Sequence, residues 1–177
     1  MRRLVKLNVN PIQARVFLDG KYIGICHDWD DSGGGALLYF RGEVTHRVRF
    51  AYPGYKDLIV DLVIRSSAAD DKIEVVLPLQ AGKGDGPPGP AGELKRPNYR
   101  TIGPAIFRVE PTEATVTVDG KLLGPASKWE TEPLDLDGPA VHEVAFSAPG
   151  YETISVRVLV AQTAGEARAT IREKLKK

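Results

Sequence analysis

The chain has 177 residues, and its 24 Lys and Arg nearly balance 23 Asp and Glu, giving a formal net charge of +1. No segment concentrates the basic charge that phosphate-driven nucleic-acid binding requires, so nucleic-acid partners are not expected. A single cysteine, Cys26, excludes an internal disulfide, and no apolar run approaches the roughly 20 residues of a membrane-spanning helix, so membrane insertion is not expected either.

In chain order, Met1-Arg2-Arg3 has the basic start of a signal peptide, but Lys6, Asn8 and Asn10 interrupt the apolar residues that follow. The segment Leu4 to Asn10 reads as a strand instead, and the chain as written reads as soluble and cytoplasmic. Next, Val16 and Leu18 share one face of a strand, and Asp19-Gly20 supplies the positive φ angles of a tight turn. A hairpin is predicted over residues 14–24. An acidic, glycine-rich loop follows, Asp28-Trp29-Asp30-Asp31-Ser32-Gly33-Gly34-Gly35. Further strands are predicted at 36–40, at 46–50 with His46, Val48 and Phe50 on one face, at 57–64 and at 72–79. Pro53-Gly54-Tyr55 breaks the run between the second and third of these, because proline fixes φ and glycine permits reversal.

Residues 81–104 carry Gly82, Gly84, Gly86, Pro87, Pro88, Gly89, Pro90 and Gly92. That composition cannot bury apolar surface and predicts a semi-extended linker of polyproline character. Beyond it the first half returns. Pro11-Ile12-Gln13-Ala14-Arg15-Val16-Phe17-Leu18-Asp19-Gly20-Lys21 is echoed by Pro111-Thr112-Glu113-Ala114-Thr115-Val116-Thr117-Val118-Asp119-Gly120-Lys121. Trp129 repeats Trp29, the His142, Val144 and Phe146 strand repeats that of His46, and Pro149-Gly150-Tyr151 repeats Pro53-Gly54-Tyr55. A second hairpin is predicted at 114–124, with strands at 134–137, 142–146, 153–160 and 167–173, and one helical turn is conceivable within 160–169. The expected architecture is all-β: two tandem antiparallel β-sandwich domains of about seven short strands each, residues 1–80 and 105–177, joined by the linker at 81–104.

The ordered blocks Pro-x-x-Ala-x-Val-x-x-Asp-Gly-Lys-x-x-Gly, His-x-Val-x-Phe and Pro-Gly-Tyr, each present twice, resemble the bacterial PEGA domain family. The middle pair of the signature differs, being Ile12-Gln13 in one copy and Thr112-Glu113 in the other. The resemblance implies a small non-enzymatic β-sandwich of envelope proteins or signalling kinases, with no catalytic residues and no cofactor to carry over. It leaves an envelope-associated setting open should the chain be part of a longer one.

Among candidate sites, Trp29 and Trp129 are placed either to stack on a glycan or anchor a protein partner, or to plug one end of each domain. Asp28, Asp30 and Asp31 offer clustered oxygen ligands of the kind calcium favours, although their spacing is not that of an EF-hand. Asp19 and Gly20, Asp119 and Gly120, Pro53 and Gly54, and Pro149 and Gly150 are assigned to turns. His46 and His142 are read as structural, each ring bonded to a neighbouring loop, because one histidine falls short of the three or four ligands zinc needs. Cys26 has a functional reading as a reactive thiol or an intermolecular crosslink, against which Ala126 stands in its place in the second copy. No serine sits in a nucleophile elbow, and the three glycines lack the Lys-Ser/Thr of a phosphate loop. The expected function is a non-catalytic interaction or scaffolding module that binds another protein, with glycan binding and calcium stabilisation as rivals.

Overall fold

The computed structural model describes residues 2–31, 37–65, 72–84, 86, 97–101, 103–161 and 169–177. The chain is mostly β and divides into two compact units, Met1–Arg96 and Pro97–Lys177. Unit 1 holds β1 (Arg2–Asn10), β2 (Arg15–Leu18), β3 (Lys21–Ile25), β4 (Leu38–Arg41), β5 (Val44–Ala51), β6 (Leu58–Ile64) and β7 (Lys72–Pro78). Unit 2 holds β8 (Tyr99–Thr101), β9 (Ala105–Glu110), β10 (Thr115–Val118), β11 (Lys121–Pro125), α1 (Lys128–Thr131), β12 (Ala140–Ser147), β13 (Ile154–Val160) and β14 (Ala169–Lys174).

Each unit has one sheet built on its hairpin. In unit 1 the order is β3-β2-β5-β6, and in unit 2 it is β11-β10-β12-β13-β8. Asp19 and Asp119 both sit at φ 49°, and Gly20 and Gly120 at 84° and 78°. Two successive positive φ values twist a two-residue loop in the sense of its strands, which is why Asp-Gly closes both hairpins. Alternation then decides what is buried: Val48 and Phe50 of β5, and Val144 and Phe146 of β12, face inward and are fully buried. In unit 2 these side chains join Phe107, Val116, Val158 and Ile171 in one apolar cluster.

The second sheet in each unit corrects the antiparallel expectation. β1 pairs with β7 in parallel and with β4 antiparallel, while β9 pairs with β14 in parallel. Period-two alternation reports which face a residue takes and carries no information on strand direction. A parallel pair needs a long crossover, and here the rest of each unit supplies it.

Three other expectations change. Residues 134–137 form no strand; Leu134 makes a single bridge to Ala105, whose N–H and carbonyl bond those of Leu134 at 2.9 and 2.8 Å. The predicted linker is ordered at both described ends: Tyr99–Thr101 is strand β8, parallel to β13, and Gly82 and Gly86 bond into unit 1. The helical content of the described residues is α1 and one 3-10 turn, Cys26–Asp28. Residues 32–36, 87–96 and 162–168, which include the Gly33-Gly34-Gly35 loop, the Pro-rich tract and most of the conceivable helical turn, lie outside the described residues.

Candidate functional site

The Asp-Gly turns do more than reverse the chain. Asp19 Oδ2 lies 2.5 Å from His46 Nδ1, and its Oδ1 accepts the Arg47 N–H at 2.8 Å. Asp119 repeats this with His142 Nδ1 at 2.6 Å and the Glu143 N–H at 2.9 Å. Each turn is thus latched onto the central strand of its sheet. The hydrogen bond from His46 is the main reason the Asp19 carboxyl is held below its ordinary range, with the Arg47 N–H adding to it. His142 Nε2 also lies 2.5 Å from the Asp137 carbonyl, so a ring protonated on both nitrogens donates to both neighbours. These bonds engage both turn aspartates and both histidines in structure. The sequence signal for this pairing is that an Asp and a His recur together in both halves.

The tryptophans separate the two units. Trp29 is fully buried, and its Nε1 donates to the Ile23 carbonyl at 3.2 Å. It is a core residue and offers no stacking face, which corrects its candidacy as a binding contact. Trp129 is half-buried against the apolar cluster of unit 2, with Lys128 Nζ 4.5 Å from its ring centre. Its Nε1 is buried and meets no acceptor among the described residues.

The described part of the acidic loop, Asp28 to Asp31, bonds locally. Asp28 is buried and its Oδ2 accepts the Ile25 N–H at 3.0 Å, closing the 3-10 turn. Asp30 lies 2.9 Å from His27 Nδ1, and Asp31 is exposed at φ 58°. Among the described residues no three His, Cys, Asp or Glu side chains come together to hold a metal ion. Among the described residues, the Asp28 and Asp30 carboxylates are engaged by the Ile25 N–H and by His27. Cys26 is buried, which pushes its thiol up to about 12 and removes it as a nucleophile at neutral pH.

A cavity of about 430 Å³ lies beside the Pro53-Gly54 turn, lined by Arg15, Tyr52, Tyr55, Asp57 and Lys83 and by the backbone of Gly84. The glycine-rich segment forms one wall. Gly82 donates to the Gly54 carbonyl at 3.0 Å, and Gly86 donates to Asp57 Oδ2 at 2.9 Å, beside the Arg49–Asp57 ion pair. A Cβ on Gly84 would lie 2.4 Å from Asp57 Oδ1, and one on Gly86 2.4 Å from an Arg49 nitrogen. Close approach therefore accounts for glycines that composition alone assigned to a linker.

Exposed apolar side chains mark the remaining surface. Ile59 and Val63 of β6 are 57% and 50% exposed, and Val76 and Leu77 of β7 are 61% and 41% exposed. Among the described residues the fifth large exposed apolar side chain is Leu122. No helix among the described residues is long and apolar enough to cross a membrane. Compared with known proteins, the chain matches no family model, no curated protein and no solved structure.

Proposed function

We propose that this chain is a pair of PEGA-like β-sandwich modules that acts without catalysis, as a protein-binding or scaffolding element of a bacterial envelope-associated or signalling assembly. The observation that carries this reading is the apolar surface of unit 1, four large side chains exposed on β6 and β7 at the margins of their two sheets. Edge strands present unpaired backbone groups, and apolar side chains beside such an edge favour strand addition by another polypeptide. Asp19, Asp119, His46 and His142 act in this reading as latches between turn and strand. Burial of Trp29 takes away one of the two platforms on which glycan binding would rest.

The test is affinity capture from the source cells with the full chain as bait, followed by chemical cross-linking. A stoichiometric protein partner cross-linked to unit 1 is the expected result. Capture of nothing, across low and physiological salt, contradicts the reading.

A further inference from the structure

In unit 2, β8 lies against the outer edge of β13, with Tyr99, Arg100 and Thr101 opposite Val158, Leu159 and Val160. Asn98 fixes the start of this pairing, donating its N–H to the Arg157 carbonyl at 2.9 Å and accepting the Arg157 N–H on Oδ1 at 2.8 Å. The Tyr99 side chain packs against the apolar cluster, and its hydroxyl reaches β14, bonding the Arg172 carbonyl and Glu173 Oε1, both at 2.7 Å. Burial and the Glu173 carboxylate push that hydroxyl up to about 12. One short strand thus closes the gap between β13 and β14.

The strands that correspond in unit 1 are β6 and β7. Aligned on the shared His and Pro-Gly-Tyr blocks, Asp61, Leu62, Val63 and Ile64 match Arg157, Val158, Leu159 and Val160. Aligned on their parallel pairing, where Pro78 faces Asn10 as Lys174 faces Glu110, Val76 and Leu77 match Arg172 and Glu173. Among the described residues β6 is the last strand of its sheet, with no counterpart to β8. Val63 is 50% exposed where Leu159 is fully buried, and Leu77 is 41% exposed at the position whose counterpart, Glu173, binds the Tyr99 hydroxyl. Two of the four exposed apolar side chains of unit 1, Val63 and Leu77, thus occupy positions whose counterparts, Leu159 and Glu173, meet β8 in unit 2.

Resting on the protein-binding reading above, we infer that the β6–β7 margin of unit 1 receives an extended segment of a partner protein. The segment runs parallel to β6, as β8 runs parallel to β13. It places a bulky, wholly apolar residue, Phe or Leu, where Tyr99 sits in unit 2. Leu77 in place of Glu173 removes one of the two partners of the tyrosine hydroxyl and supplies apolar contact instead, so an inserted tyrosine keeps only the main-chain carbonyl of Val76, the counterpart of that of Arg172, and its hydroxyl is less well satisfied than in unit 2. Affinity comes from main-chain bonds along the edge, and selectivity from the inserted side chain.

The probe is a synthetic peptide of residues 97–103 carrying Tyr99→Phe, titrated into the 15N-labelled full chain, with the unsubstituted peptide as comparison. Saturable shifts confined to the amides of β6 and β7 are expected, with the Tyr99→Phe peptide binding more tightly. In a Leu77→Glu variant the Tyr99→Phe peptide weakens about tenfold, a change of roughly 1.4 kcal/mol, and the order of the two peptides reverses. Millimolar peptide without shifts at β6, or shifts scattered over both units, overturns the inference. Repeating the cell capture with Ile59→Lys/Val63→Lys separates the two levels, because both substituted side chains already face solvent and folding is checked by an unchanged Tm. A partner retained by this variant overturns the β6–β7 site and leaves the protein-binding reading standing. A partner lost by it supports both, and a wild-type chain that captures nothing overturns the broader reading whatever the peptide does.

Discussion

Unit 1 and unit 2 use one set of backbone bonds to hold different surfaces. The Ala14 carbonyl accepts from Cys26 at 2.9 Å as that of Ala114 accepts from Ala126 at 2.8 Å. Tyr55 donates to Tyr52, and Tyr151 to Ala148, both at 3.1 Å. The Asp–His latch is in each. Around these fixed points the side chains diverge: Arg15, Arg49, Tyr52 and Asp57 of unit 1 stand where unit 2 has Thr115, Ala145, Ala148 and Thr153. Backbone satisfaction at turns leaves little choice of residue, whereas a sheet margin or a cavity wall tolerates any side chain that the neighbouring surface can accommodate. The two units are thus alike where the chain reverses and unlike where a ligand or strand would sit.

The largest effect that sharpens this contrast is expected at the tryptophans. Trp29→Ala empties a fully buried site and should destabilise the chain by about 3–5 kcal/mol, while Trp129→Ala, at a half-buried site, should cost roughly 1–2 kcal/mol. Urea unfolding of the full chain followed by circular dichroism measures both, and equal costs would break the distinction between a core and a peripheral tryptophan. Next come the latches. His142→Ala should cost more than His46→Ala, by about 1 kcal/mol, because His142 is the more buried and also bonds the Asp137 carbonyl. Reversal of that order in the same assay would mean that the second ring bond contributes nothing.

A smaller effect tests the glycine wall, which described unit 2 structure does not repeat. Gly86→Ala drives a Cβ to 2.4 Å from an Arg49 nitrogen, a side-chain end that can shift, and should cost about 1 kcal/mol or less, with faster hydrogen exchange at the Gly82 amide. Unchanged exchange there would show the segment to be held independently of Gly86. The smallest effect concerns pH. The Asp19 carboxyl is depressed by its His46 bond, so the folded chain takes up its proton at lower pH than the unfolded chain. Its contribution is complete above the unfolded value, about 3.9, and is lost as pH falls through the lower folded value. Asp19→Asn should therefore flatten the acid limb of the stability profile below pH about 4, as read by urea midpoints at stepped pH.

Much of the strand content was legible because β-strands alternate and Asp-Gly closes hairpins, and His46, Val48 and Phe50 do lie on one inward face. The contacts that no local pattern encodes are those between residues distant in sequence. Asp19 and His46 are 27 residues apart and Asp119 and His142 are 23 apart, and no local pattern announces that they meet. The β1–β7 and β9–β14 pairings join the two ends of each unit, where alternation is silent on direction. Tyr99–Thr101 was hidden by the glycines and prolines before it, since a three-residue strand carries too short a pattern to stand out from a linker. In the acidic loop the local bonds were equally hard to foresee: Asp28 caps a turn and Asp30 meets His27, neither of which the clustering of carboxylates announces.

Amide hydrogen exchange at Asp61 and Arg157, the matching residues of β6 and β13, tests the contrast between the two margins most directly. The Arg157 N–H is bonded to Asn98 and should be strongly protected, while the Asp61 N–H should exchange close to the rate of an open chain. Equal, strong protection at both residues in the isolated full chain would contradict the account, because it would place an acceptor over the margin of β6 as well.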